Sequence, residues 1–199
     1  VKSNAYGHGI LLCAKVFLNA GVDWLIVNSL DEVEKLREGD VEAPIYQCVQ
    51  PAPFEADRVV KSGARIALCN LEVATAIAAA AQRRGRVVHC HIKVETGTNR
   101  QGVSGDELTN LVQLARQLDG LILEGLTTHF ADVEDTTDHS FAEGQQEVTG
   151  VTRSHFHQVS VLAEAEDVLI QNDLNTLGHG TWGRTLSVRS TTLRRGLIS

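Results

Sequence analysis

The chain has 199 residues, 43% of them hydrophobic and 5% aromatic, with a formal net charge of −7. That length suffices for one sizeable domain with a core of Val, Leu, Ile and Ala. The negative charge and the lack of a basic stripe with interleaved aromatics exclude a general nucleic-acid binder, and no apolar run approaches the ~20 residues needed to span a membrane.

Val1-Lys2-Ser3-Asn4 reads as the end of a strand with no start methionine, so the expectation is a chain lacking an upstream part. Trp24–Asn28 reads as a strand after the turn signal Ala20-Gly21, and Asp31–Glu38 as a helix capped by Ser29 or Asp31. Pro44–Val49 is a predicted strand, and Pro53–Ser62 a short helix stopped by Gly63. Arg65–Cys69 is a strand, Leu71–Arg84 an Ala-rich helix closed by Gly85, and Arg86–Val94 a strand. Asp106–Leu118 places Leu108, Leu111, Val112, Ala115 and Leu118 on one helical face, and Leu121–Thr128 is a strand. Further on, Val159–Glu166 reads as a helix and Val168–Gln171 as a short strand. The four cysteines, Cys13, Cys48, Cys69 and Cys90, include no C-x-x-C pair and read as buried free thiols.

This alternation implies parallel strands with right-handed crossovers, as in a (β/α)8 barrel or an open doubly wound sheet. No G-x-G-x-x-G follows a first strand, which weakens the dinucleotide-binding reading. The strand from His89 to Glu95 favours the barrel. One face carries His89, His91, Lys93 and Glu95, and the other carries Val88, Cys90, Ile92 and Val94. A barrel packs the second face on its helices and turns the first inward, toward the mouth where barrel enzymes keep their sites. An open sheet covered on both sides would be apolar on both.

Lys2 sits at a carboxyl end in this scheme, where an amine can form a Schiff base with an aldehyde cofactor. The run Val1-Lys2-Ser3-Asn4-Ala5-Tyr6-Gly7-His8-Gly9 resembles the pyridoxal-phosphate (PLP) attachment segment of alanine racemases, V-K-x-N-A-Y-G-H-G. The resemblance continues in order. Gly21-Val22-Asp23-Trp24, Asp31-Glu32-Val33 and Leu36-Arg37 look like the family's second strand and helix. The segment Lys93 to Gly102 looks like its K-V-[DE]-T-G-x-x-R-x-G, and Thr127-Thr128-His129-Phe130-Ala131, with Asp138-His139 and Gln145, like its T-H-F-A region. The likeness runs from residue 1 to about residue 165.

The resemblance implies a TIM-type (β/α)8 barrel binding PLP, cut short at its N-terminus and without the family's C-terminal β domain. It implies L-alanine/D-alanine interconversion in a cytoplasmic homodimer, serving cell-wall precursor supply. Lys2 would hold PLP and act as base on one face of the substrate α-carbon, with Tyr6 beside the cofactor. Arg100 would bind the PLP phenolic oxygen and the substrate carboxylate, and a carbamylated Lys93 would orient Arg100. His129 would orient the second base, a tyrosine from the second domain of the partner subunit. Asn175-Thr176 corresponds to the family's pair after its seventh strand, and Leu193-Arg194-Arg195-Gly196-Leu197 to its V-R-x-G-[IL]. Arg194 would then face the pyridine nitrogen, and Gly196 would offer its N–H to the phosphate.

The whole chain, 1–199, is thus expected to form part of one PLP-binding barrel domain, with residues 174–199 an irregular or divergent tail. No acidic residue follows Asp173, while Arg184, Arg189, Arg194 and Arg195 accumulate; a terminal extension and a frame-shifted segment both fit this shift. Two rival functions stand beside the racemase: a PLP-binding barrel without catalysis, and a metal-dependent barrel hydrolase using His89 and His91 with Lys93 and His129.

Overall fold

The structure is a computed structural model, and it describes residues 1–129 together with Ser140 and Gln145. After a turn at Lys2–Tyr6 come α1 (Ile10–Asn19), β1 (Leu25–Val27), α2 (Leu30–Glu38) and β2 (Ile45–Gln47). A short 3-10 turn (Pro53–Glu55) leads into α3 (Ala56–Ser62), followed by β3 (Arg65–Leu68), α4 (Leu71–Arg83), β4 (Val88–Lys93), α5 (Gly105–Gln117) and β5 (Leu121–Thr127).

The helix ends follow local chemistry. The Ser29 hydroxyl accepts the Glu32 N–H at the start of α2, and Asn70 Oδ1 accepts the Val73 N–H (2.9 Å) at the start of α4. Gly63 stops α3 in the left-handed region at φ 66°. Arg37 ties the end of α2 to the loop before β2 and to the end of α3: its guanidinium donates to the carbonyls of Val41, Ala43 and Ser62.

All five strands run parallel, and each pairs with its neighbours in sequence, in the order β1-β2-β3-β4-β5. A doubly wound sheet reverses its strand order at a switch point. No reversal occurs among the described strands, and the order is that of a barrel wall. The alternation within β4 falls as the sequence demands. Val88, Cys90 and Ile92 join the apolar layer under the helices, which Leu30, Val33, Leu36, Val59, Ile77, Ala81 and Leu111 complete. Each such fully buried Leu, Ile or Val contributes about 2 kcal/mol by leaving water. His91 and Lys93 lie on the opposite face and are buried too.

The structure alters some expectations. Val1 lies beside β1, its nitrogen 2.9 Å from the Ile26 carbonyl, but the chain does not continue as a strand end through Asn4; it turns at Lys2. Helix α1 was not among the expected elements. Its start, Gly9, offers no side-chain cap, so the usual start signal is missing. All four cysteines are free thiols, yet only Cys90 is fully buried; Cys13, Cys48 and Cys69 are half-buried. The expected helix at 159–166, the strand at 168–171 and the tail at 174–199 lie outside the described residues.

Candidate active site at the carboxyl ends of the strands

Lys2 opens a single left-handed helical turn. Ser3, Asn4, Ala5 and Tyr6 have φ of 55°, 54°, 53° and 53°. Four successive non-glycine residues in that region cost roughly 4–8 kcal/mol, at ~1–2 kcal/mol each. Contacts from inside and outside the turn offset this. The Ala5 N–H donates to the Val1 carbonyl (3.0 Å), the Gly7 and Gly9 N–H groups donate to the Asn4 carbonyl, and Asn4 Oδ1 accepts the Ile10 N–H at 3.0 Å. The Asn4 N–H itself donates to Glu32 Oε1 on α2 (3.1 Å). The half-buried Lys2 side chain leaves this turn with Nζ 5.7 Å from the centroid of the exposed Tyr6 ring.

Lys93 ends β4 and is only 4% exposed. Its Nζ donates to the Cys48 carbonyl at 3.4 Å, and no carboxylate pairs with it among the described residues. Burial pushes its pKa below the ordinary lysine value; the Cys48 and Cys69 thiols oppose that, and Arg100 adds to it. A buried ammonium without a counter-charge is costly, so burial here works against the charged form of this lysine.

Arg100 rides on the loop between β4 and α5, wound around the Glu95 carboxylate. Glu95 accepts from the Gly97 N–H, the Thr98 hydroxyl (3.1 Å) and the Arg100 N–H (3.3 Å). Burial would raise the Glu95 pKa, but these donors, with the Asn99 N–H, hold it below the usual carboxylate value. The loop closes on itself: the Glu95 N–H meets the Val103 carbonyl and the Val103 N–H the Lys93 carbonyl, both at 2.9 Å. Gly102 makes that crossing possible. Its φ is 147°, and a Cβ there would lie 2.6 Å from the Glu95 nitrogen.

His129 follows β5 directly. Its backbone is tied to the Arg100 loop by a relay with one consistent direction. Gln145 Nε2 donates to Thr96 Oγ1 (2.8 Å) and to the His129 carbonyl (3.3 Å). Thr96 and Thr128 hydroxyls meet at 2.7 Å, and Thr128 donates on to the Val94 carbonyl (3.0 Å). Burial first, then the charges of Arg100, Lys93 and Lys2, bring the His129 pKa down to about 4. Cys48 reports the same gathering: burial raises its pKa while Lys93, Lys2 and Arg100 pull it down. Lys2, Lys93 and Arg100, from two separate stretches of chain, therefore all act electrostatically on His129, which comes from a third. Among the described residues, none of Lys2, Lys93 and Arg100 forms an ion pair with a carboxylate.

Beneath Lys93, a layer of inward side chains fills the interior. Tyr46 and Thr127 hydroxyls share a 2.9 Å hydrogen bond, and the Tyr46 ring lies 5.0 Å from that of His91. An irregularity in the β4–β5 register leaves one extra residue on β5. Glu124 there meets His91 Nε2 (3.0 Å) and Arg65 Nε (2.8 Å), and Arg65 stacks 4.4 Å over Trp24. Burial lowers the His91 pKa despite this carboxylate. His91 is therefore neutral near pH 7 with its proton on Nε2, facing Glu124, and Nδ1 is left without a partner among the described residues. No three His, Cys, Asp or Glu side chains gather to hold a metal among the described residues.

Glu32, Thr96, Thr128 and Glu124 were given no role from the sequence, and Glu95 was placed on the inward face of its strand without one. Glu32 had a signal, since Ser29-Leu30-Asp31-Glu32 fits the S-x-x-E capping pattern. Glu124 had none, because a register irregularity re-aims it. Asn175, Thr176, Arg194 and Gly196, with Phe130, Ala131, Asp138 and His139, lie outside the described residues.

Comparison with known proteins gives a consistent picture. The family described as "Alanine racemase, N-terminal domain" matches residues 1–166. Alanine racemase of Geobacillus stearothermophilus is 39% identical over 144 residues, covering 71% of this chain and 37% of that protein. Among solved structures, alanine racemase of Clostridium difficile 630 matches with a TM-score of 0.68 at 27% identity, over 72% of this chain and 38% of that one. A histidine racemase from Leuconostoc mesenteroides subsp. sake matches with a TM-score of 0.68 at 26% identity, over 73% of this chain and 40% of that one. The chain spans 35–41% of the length of the curated relatives it matches.

Proposed function

The chain belongs to the alanine racemase N-terminal domain family, whose fold is a TIM-type barrel, and on that premise we propose that it is the cofactor-binding part of a PLP-dependent racemase interconverting L- and D-alanine. The observation that carries this reading is the gathering of Lys2, Lys93 and Arg100 around His129 and Cys48 without a paired carboxylate among the described residues. Two cations, Lys2 and Arg100, beside a lysine whose burial disfavours its charge suit a phosphate-bearing cofactor and a carboxylate-bearing substrate. When bound, PLP supplies an aldehyde that condenses with amines and a ring that withdraws electron density from the substrate α-carbon.

Each side chain then has a task. Lys2 holds the cofactor and moves a proton at Nζ on one face of the α-carbon. Racemisation needs proton transfer on both faces, hence two bases. The second base is a tyrosine of a further domain, donated by the partner subunit of a homodimer, and His129 orients it. Tyr6 packs beside the cofactor. Arg100 grips the substrate carboxylate and the PLP phenolic oxygen, a planar fork that lysine cannot replace. Lys93, as a carbamate, holds Arg100 by charge. Asn175, Thr176, Arg194 and Gly196 complete the cofactor contacts, Arg194 at the ring nitrogen and Gly196 at the phosphate. The protein works in the cytoplasm and feeds D-alanine to cell-wall precursors. No helix among the described residues is long and apolar enough to cross a membrane.

The test is reductive trapping. The protein is incubated with PLP, reduced with borohydride and mapped by peptide mass. A label on Lys2 is expected, and a label on any other lysine overturns the assignment. Following optical rotation of added L-alanine separates catalysis from cofactor binding alone: retained cofactor absorbance with unchanged rotation favours the PLP-binding reading. Serine and histidine run in parallel report on selectivity.

A further inference from the structure

We infer that Glu32, a helix residue with no place in the chemistry above, is the positioning residue that sets the direction of Lys2. The inference rests on the reading of Lys2 as the cofactor-bearing lysine. Among the described residues Lys2 Nζ makes no hydrogen bond or ion pair and lies 5.7 Å from the Tyr6 ring, so its direction comes from the left-handed turn that it opens. That turn is unfavourable for every residue in it and keeps its shape through outside anchors.

Glu32 provides the anchor that joins the turn to the sheet. Its Oε1 accepts the Asn4 N–H inside the turn at 3.1 Å, and its Oε2 accepts the Asn28 N–H just after β1 at 2.8 Å. One carboxylate thus clamps the turn to the carboxyl end of a strand, one oxygen to each donor. Asn28 extends the clamp: its Nδ2 reaches Ser3 Oγ at 3.5 Å, and its Oδ1 accepts the Cys48 thiol at 3.3 Å. Cys48 is the residue whose own carbonyl receives Lys93. The turn bearing Lys2 and the strand end facing Lys93 are therefore connected through Glu32 and Asn28.

The chemistry of the clamp requires a carboxylate. Both partners are N–H donors, and a carboxylate is acceptor-only on both oxygens. Glutamine keeps the shape but turns an NH2 toward one of the two N–H groups. A simple capping role is the competing explanation, since Glu32 also stands in the first turn of α2, where its N–H is taken by Ser29. Ser29→Ala weakens that cap and leaves the clamp untouched, so the two roles separate.

The experiment compares the unsubstituted protein, Glu32→Gln, Glu32→Asp and Ser29→Ala, each incubated with PLP. It reads the rate of borohydride-trappable labelling of Lys2 and the visible circular dichroism of the bound cofactor, which reports how the chromophore is held. Glu32→Gln is expected to slow Lys2 labelling about tenfold and to weaken the visible dichroic band. Glu32→Asp should recover part of both, and Ser29→Ala should lower the melting temperature while leaving both at the unsubstituted level. Equal labelling and an equal dichroic band in Glu32→Gln overturn the inference, as does an equal loss in Ser29→Ala. Where Glu32→Gln lacks native far-ultraviolet dichroism, Glu32→Asp is judged by the same two outcomes. Absence of any label on Lys2 in the unsubstituted protein removes the cofactor reading itself, and this inference with it. A normal label there with no effect of the Glu32 variants removes the inference alone.

Discussion

Glu124 meets His91 inside the sheet at 3.0 Å, oxygen Oε2 to nitrogen Nε2, and the same oxygen takes Arg65 at 2.8 Å. Burial would raise the pKa of this carboxyl, but the hydrogen bonds from His91 and Arg65 and the charge of Arg65 outweigh it and hold it at about 2. A depressed carboxyl pKa contributes stability that is present above the unfolded value and lost as pH falls toward the folded one. The window here runs from about pH 4.5 down to about pH 2. The depression corresponds to about 3 kcal/mol, which partial solvent access reduces to about 2 kcal/mol. Glu124→Gln should therefore lower stability by about 2 kcal/mol at pH 7 and by almost nothing at pH 2. Urea midpoints of the two proteins at these pH values check it; an undiminished difference at pH 2 refutes the linkage.

His129 carries the opposite group type with a related sign. Its pKa falls from 6.5 to about 4, by burial and then by the charges of Arg100, Lys93 and Lys2. Between those values the unfolded chain binds more protons than the folded one, so stability rises with pH across the window and is lost on acidification through it. At neutral pH the imidazole is uncharged. Arg100→Gln removes one of the depressing charges, and the His129 midpoint should move upward, toward 6.5. A nuclear magnetic resonance titration of the His129 ring protons measures this. An unmoved midpoint would mean that the arginine and the imidazole do not share a site.

The sequence made some of this architecture readable and left other parts hidden, for physical reasons. The alternation of β4 revealed the inward His91 and Lys93 because a period of two fixes which face each residue takes. Gly63 and Ser29 marked helix ends because their chemistry is local. The turn after Lys2 was unreadable. Four non-glycine residues at positive φ contradict local preference, and part of what offsets this comes from Glu32, twenty-eight residues from Asn4. Glu124 escaped notice because the register irregularity on β5 is set by pairing, not by residue type. The motif from Lys93 to Gly102 pointed to Arg100, but not to Glu95 as the centre around which its loop is wound.

Gly102 gives a direct test of that loop. Alanine there would place its Cβ 2.6 Å from the Glu95 nitrogen and 2.9 Å from the Val94 carbonyl carbon, both backbone atoms that cannot swing away. The φ of 147° is itself strained for any L side chain. Gly102→Ala should cost about 3 kcal/mol and should break the paired bonds between Lys93, Glu95 and Val103. Hydrogen exchange should show the Val103 and Glu95 amides losing protection well before those of β2 and β3. Uniform loss across the sheet would mean that the loop does not act as a separate unit.

Lys93 offers the sharpest chemical prediction. Its amine is buried, has a lowered pKa, and among the described residues donates to the Cys48 carbonyl alone. A neutral amine adds to carbon dioxide, forming an N–C bond and releasing one proton, and the product is an anion. In this position the new negative charge would lie among Lys2 and Arg100, whose charges are otherwise unpaired among the described residues. Burial that penalises a cation would then be compensated by an attractive neighbourhood for the anion. Protein equilibrated with carbon-13 bicarbonate should show one carbamate resonance near neutral pH, lost in Lys93→Gln and lost again on acidification as the carbamate decomposes. Lys93→Gln should also lower the labelling rate of Lys2 by about tenfold, and added chloride or acetate should restore part of it by supplying the missing anion. A carbamate signal that survives the substitution would assign the modification to another amine.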